Sequence, residues 1–162
     1  MTGVPDVVET LQERVAAADG RLLVMPEANN ALPGVCKNAI DWLSRPPQDI
    51  PRVFGHHPVA RMGATPSGLG TVHAQTVWLP VVRALGMQPW FGTPLCVFGA
   101  HQGFDASGTR LDAQIREWLQ KSMTGFAACV QRWSSPRRAS PHTRCLTCTQ
   151  SPRGRMALCQ WR

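Results

Sequence analysis

The sequence predicts an α/β fold, a parallel sheet with flanking helices. Three observations carry this reading. Short apolar runs occur at Leu22–Met25, Pro58–Gly63 and Pro94–Phe98. Each is closed by proline or glycine, at a length suited to a buried strand. Between and around them lie longer segments with apolar residues at helical spacing, and strands alternating with helices imply a parallel sheet.

The elements follow in order. Val4, Val7, Val8, Leu11, Val15 and Ala18 repeat at helical spacing, with Pro5, Asp6 and Glu9 in the first turn. Proline is tolerated there and acids oppose the helix dipole. Gly20 breaks this helix, and Arg21–Met25 reads as a short buried strand. A polar loop, Pro26–Leu32, leads to Pro33, which opens a second helix over 34–44. Residues 45–57, with Pro46, Pro47, Pro51 and Gly55, read as a loop. Pro58–Gly63 is the next strand, and Gly63–Gly70 is a glycine-bearing loop. A helix over Thr71–Leu85 should be kinked by Pro80, which removes one backbone bond. Pro94–Phe98 is the third strand, and the last helix is expected over about Thr109–Val130.

Composition bounds the rest. A chain of 162 residues suits one domain. The net charge of +7 is unevenly placed: residues 1–131 carry ten Lys/Arg and ten Asp/Glu, whereas 132–162 carry seven arginines and no acid. That last stretch lacks apolar periodicity and is expected to be a basic, disordered tail after a folded 1–131. Its aromatic interleaving is slight (Trp133 and Trp161), so neither nucleic acid nor membrane is expected as a partner. No long apolar run marks a transmembrane helix or signal peptide. Cys36 and Cys96 read as small buried hydrophobes suited to a reducing cytoplasm.

The segment Pro26–Trp42, P-E-A-N-N-A-L-P-G-V-C-K-N-A-I-D-W, closely resembles a family signature. The signature is P-E-Y-N-x-S-x-P-G-x-L-K-N-A-I-D-W, of the NADPH-dependent FMN reductases, which are flavodoxin-like quinone, chromate and azo-compound reductases. Ala28 stands in place of a Tyr, Ala31 of a Ser and Cys36 of a Leu. A second segment, Gly63–Gly70 (G-A-T-P-S-G-L-G), resembles the family's G-A-S-x-G-G-x-G. The resemblance runs over roughly residues 3–130 and implies a flavodoxin-like sheet. It also implies FMN and NADPH as cofactors, a small-molecule electron acceptor such as a quinone, and assembly into homo-oligomers.

The cofactor-contacting residues it implies are Pro26, Glu27, Ala28, Asn29 and Asn30 in the first loop, with Ala64, Thr65, Pro66, Gly68 and Gly70 in the second. No side chain need act as acid or base, because the flavin carries the chemistry. Asn29 and Asn30 could bond flavin atoms or close a turn. The family begins with a strand, a phosphate-binding loop, a helix and a second strand. The resemblance here starts at the helix before the third strand. The expectation is therefore the contiguous 3-4-5 part of a 2-1-3-4-5 sheet, incomplete by its first two strands, with Arg21–Met25 at a bare edge. The alternative to a reductase is a non-enzymatic remnant or interaction fragment.

Other motifs have plainer readings. Asn38 and Asp41 are expected to cap or pair locally, and Trp42 to pack at a surface or subunit contact. Arg61 is out of character in a buried strand and suggests an exposed edge or a relaxed constraint. His56 and His57 read as solvated loop residues, and Cys145-Leu146-Thr147-Cys148 is too isolated for a zinc site.

Overall fold

In a computed structural model the chain is described over residues 3–103, 105, 107–108 and 112–134. Helix α1 (Asp6–Ala16) precedes strand β1 (Arg21–Val24), and α2 (Gly34–Leu43) follows. A 3-10 turn, Pro47–Asp49, runs into the short α3 (Ile50–Val53). Strand β2 (Pro58–Ala64) and α4 (Val72–Ala84) come next, then β3 (Gln88–Pro89) and β4 (Leu95–Val97). After a 3-10 turn at Ala100–Gln102, α5 (Ala113–Ser134) closes the described fold.

The sheet is parallel and β2 is its centre. On one side β1 runs from Arg21 opposite Val59 to Val24 opposite Met62. On the other side, β3 pairs with the start of β2 and β4 with its end, Met62 opposite Leu95 through Ala64 opposite Val97. Trp90 N–H donates to the Val59 carbonyl between them at 2.8 Å, so two short strands share one flank.

Side chains alternate across the pleat. Leu23 and Val59 face a cluster with Met25, Ile40, Leu43, Phe54, Trp78, Val82 and Met87, under α1–α4. Leu22 and Met62 face a smaller cluster with Leu95 and Val97, under α5. Two buried polar side chains tie the helices down by satisfying carbonyls at helix ends. Arg21 donates to the carbonyls of Val15, Ala18 and Val53, at 2.5, 2.9 and 2.6 Å. Gln12 donates to those of Leu43 and Arg45, at 3.0 and 2.6 Å.

Several expectations change. The first strand is only partly covered: Leu22 and Leu23 are half-buried and Val24 is 64% exposed, because β1 is the sheet's edge among the described residues. The stretch expected as loop over 45–57 contains α3, with Pro51 in its first turn, where a missing N–H costs nothing. The third strand is shorter than expected and is preceded by β3, too short to be read from periodicity.

Arg61 does not lie at an edge. It sits mid-strand in β2, its Nη1 donating to the Gln75 carbonyl at 2.9 Å and its guanidinium 5.4 Å from the Phe91 ring centroid. Burial pulls its pKa down. Helix α4 continues through Pro80 to Ala84, with Pro80 on its exposed face. Helix α5 starts later than expected and continues through Arg132 and Trp133 to Ser134. The basic stretch from residue 135 onward, with the Cys145–Cys148 pair, lies outside the described residues. Among the described residues no helix is long and apolar enough to cross a membrane.

Candidate functional site

The two loops singled out by sequence leave the C-terminal ends of adjacent parallel strands, where ligands bind in open α/β sheets. The first loop is built by a turn. Ala28 N–H donates to the Ala31 carbonyl at 3.0 Å and Ala31 N–H returns to Ala28 at 2.9 Å. Between them Asn29 and Asn30 have φ of 50° and 57°. Two successive positive φ values define a type I′ turn, and asparagine tolerates that region better than most side chains. The asparagines thus close a turn, and both remain exposed at its tip, free to meet a ligand.

The second loop is pinned at its two ends and open in its middle. Thr65 is buried; its N–H donates to the Val97 carbonyl at 3.0 Å and its carbonyl accepts from Ala100 N–H at 3.1 Å. Gly70, at φ +64°, packs against Cys96. Pro66, Ser67, Gly68 and Leu69 lie exposed between these anchors, and open space surrounds Gly68. Of the expected contact residues in this loop, Ala64, Pro66 and Gly68 therefore face outward, while Thr65 and Gly70 hold the loop in shape.

The stems are locked together. Met25 N–H donates to the Met62 carbonyl at 3.1 Å. A Cβ on Gly63 would sit 2.0 Å from the Met25 carbonyl oxygen, so this position requires glycine for close backbone approach. Across the loops, Glu27 Oε2 accepts from Ala74 N–H at 3.1 Å. Ala74 lies in the first turn of α4, so the carboxylate also meets the positive end of that helix. One side chain of the first loop thereby fixes the helix that the second loop feeds.

Glu27 is among the residues expected to contact a cofactor, but its helix-clamping role is not legible in the sequence, because an acid just after a strand gives no sign of which helix it will cap. Equally hidden there is the role of Gln75, whose Nε2 donates to Thr71 Oγ1 and the Leu95 carbonyl, both at 3.0 Å, fixing α4 to β4. On α2, Asp41 pairs with Lys37 at 2.6 Å, and Trp42 stays 36% exposed. His56 is exposed and His57 half-buried.

This edge presents an exposed turn tip and an exposed glycine-bearing backbone with open space over Gly68, on stems held rigid beneath. Beside it, β4 and α5 frame a separate cavity of about 430 Å³ that includes no residue of either loop.

Sequence and structure comparisons agree with one another. The NADPH-dependent FMN reductase family profile matches residues 1–95. An NAD(P)H-dependent FMN reductase of Pseudomonas aeruginosa is 36% identical over 130 residues, covering 80% of this chain and 69% of that protein. A 2-hydroxy-1,4-benzoquinone reductase of a Burkholderia species is 34% identical over 127 residues, covering 78% of this chain and 68% of that protein. Among solved structures, the flavoenzyme NAD(P)H:(acceptor) oxidoreductase FerB of Paracoccus denitrificans superposes with a TM-score of 0.69 at 27% identity, covering 79% of this chain and 69% of that one.

Proposed function

The chain belongs to the NADPH-dependent FMN reductase family, and from that premise we propose that its two edge loops hold the ring of FMN, in an NAD(P)H-dependent oxidoreductase that reduces quinone-type acceptors. The observation that carries the placement is the pair of loops at the ends of β1 and β2, clamped by the Glu27–Ala74 bond. When bound, FMN supplies the capacity to accept a hydride and pass electrons onward.

The residues of this chain do the holding. Pro26, Ala28, Asn29 and Asn30 present the first loop, with Asn29 and Asn30 carrying exposed amides able to donate to and accept from ring heteroatoms. Ala64, Pro66 and Gly68 present the second, while Glu27, Thr65 and Gly70 keep the loops in place. No proton need be held or moved by a side chain at this edge. The quinone acceptor class is drawn from the names of the relatives. Homo-oligomeric assembly belongs to the same proposal, supported by the exposed β1 edge and the partly exposed Trp42. A reducing cytoplasmic setting does too, supported by the free thiols of Cys36, Cys96 and Cys129. So does a division into a reductase unit, residues 1–131, and a basic appendage, 132–162.

The test is titration of FMN followed by flavin fluorescence, in the unmodified chain and in Gly68→Leu. Open space surrounds Gly68, so the fold should tolerate the leucine while the ring loses its seat. A drop in affinity of about tenfold or more, with unchanged circular dichroism, is expected. The named residues reach the ring and not the phosphate, so riboflavin should bind about as well as FMN. Equal FMN affinity in both proteins would move the ring elsewhere.

A further inference from the structure

The cavity between β4 and α5 is unlike the open loops beside it. Its floor is apolar, with Val97 from β4 and Ile115 from α5, both part of the small cluster under α5. Its walls include two aromatic side chains left largely uncovered, Phe98 at 62% and Trp118 at 43% exposure. Two large exposed aromatics on one concavity mark a binding surface more than a solvated face. Its polar lining residues are Gln102, Gln114 and Asp112; the Gln114 amide also donates to Glu117 Oε2 at 3.3 Å. An apolar concavity of about 430 Å³ with a few convergent polar groups falls within the range of small-molecule sites.

We propose that this cavity is a second binding site, for a neutral planar aromatic molecule carrying polar edge groups, the chemical class to which quinones and hydroquinones belong. The aromatic walls select a flat ring by stacking or edge contacts. The amides select ring substituents that accept or donate hydrogen bonds. Asp112 is the one charged side chain among the described residues of the lining, and it disfavours an anionic ligand. Its Oδ1 already accepts from Ile115 N–H at 3.1 Å, which fixes the start of α5 and hence the wall that carries Trp118.

The site also adjoins the candidate flavin loops. Gly99, in the lining, donates through its N–H to the Ser67 carbonyl at 3.3 Å, and Ala100 N–H donates to Thr65. A ring held here lies directly behind the second loop. Identifying that ring with the electron acceptor rests on the reductase reading; the binding site itself does not.

The experiment is calorimetric titration of the full chain with 2-naphthol, a neutral and redox-inert probe of this shape, and with naphthalene-2-sulfonate as the anionic comparison. Binding of 2-naphthol with weaker binding of the sulfonate is expected. Phe98→Ala and Trp118→Ala should each weaken 2-naphthol by about fivefold or more; both side chains are exposed, so the fold should persist. FMN affinity, measured separately, should be unchanged in both variants. Absence of 2-naphthol binding at millimolar concentration would overturn the proposal. So would binding indifferent to both substitutions, or binding abolished by saturating FMN. Should FMN itself fail to bind while 2-naphthol binds in this pattern, the cavity stands and the flavin reading falls.

Discussion

The two faces of the sheet are built to different standards. Under α1–α4, Trp78, Phe54, Val53, Val59 and Val82 are almost wholly removed from solvent and form one continuous core. Under α5, Met62, Leu95 and Val97 form a small cluster, and the helix keeps Trp118, Leu119 and Met123 about two-fifths exposed. Both faces hang on the same four-strand frame, so the difference lies in what covers them. The dense face fixes the stems of the two loops: Met25 belongs to its core, and Trp78 Nε1 meets Met25 Sδ at 2.6 Å directly below the first loop. The sparse face leaves room for the cavity. Rigidity and vacancy are thus segregated to opposite sides of one sheet edge, so the loop stems are held firmly while an open concavity remains beside them.

Truncation in the dense core should have the largest effect. Trp78→Ala removes a side chain only 1% exposed, and should cost about 3–5 kcal/mol in urea unfolding. Leu95→Ala, on the sparse face, should cost about 2 kcal/mol, because a thinly covered site collapses or hydrates more readily. Equal losses would show that the two faces are equally packed and would break the contrast.

The next test concerns the frame. Gly63→Ala places a methyl against the Met25 carbonyl, a backbone atom that cannot swing away. Overpacking of this kind should cost about 1–3 kcal/mol and splay the loop stems, so stability and FMN affinity should fall together. Gly68→Ala, in open space, should change stability little. A Gly63→Ala protein with native stability would mean that the two strands are not held as closely as the register indicates.

A smaller effect is expected at the sheet edge. The apolar run Leu22–Met25 gives no way to tell which residue is uncovered, because a parallel strand reads as apolar on both faces. The structure separates them: Leu23 packs into the dense core, and Val24 is the exposed one. Val24→Lys should therefore reduce self-association in light scattering without loss of melting temperature, as edge lysines oppose strand addition. Leu23→Lys should unfold the protein before it informs on assembly. Unaltered association in Val24→Lys would remove this edge from consideration as an interface.

Much of the fold was legible because its signals are local. Proline and glycine punctuation, and helical spacing at Val7, Val8, Leu11 and Val15, place the main strands and helices within a few residues. The two loops were legible as loops, and a turn at Asn29-Asn30 was one of two readings the sequence left open. What stayed hidden depends on contacts between distant residues. Arg21 and Arg61 are charged residues in strands, and nothing in their neighbourhood says that one satisfies three helix-end carbonyls while the other lies over Phe91. The Glu27–Ala74 bond spans 47 residues, and β3 is two residues long. The cavity joins Phe98 to Trp118 across a connection with no periodic pattern. Each required the assembled sheet before it had any meaning.

The mildest test reaches the join between the two faces. His57 directly precedes β2 and lies half-buried in a shallow groove with Asp19, Trp133 and Ser134, where α5 ends. Desolvation by burial lowers its pKa below the ordinary 6.5, and the Arg21 charge lowers it further, against weaker opposing contributions from Asp19. A histidine whose pKa is depressed on folding binds protons more readily when unfolded. Its contribution to stability is therefore fully present above about pH 6.5 and is lost as pH falls through that value toward the folded pKa. The melting temperature should decline between about pH 7.5 and about pH 5.5, and His57→Gln should decline less over the same interval. The difference between the two curves isolates this residue from the carboxylates and the other histidines. Parallel curves would mean that His57 is solvated in both states, and that the end of α5 does not close over the start of β2.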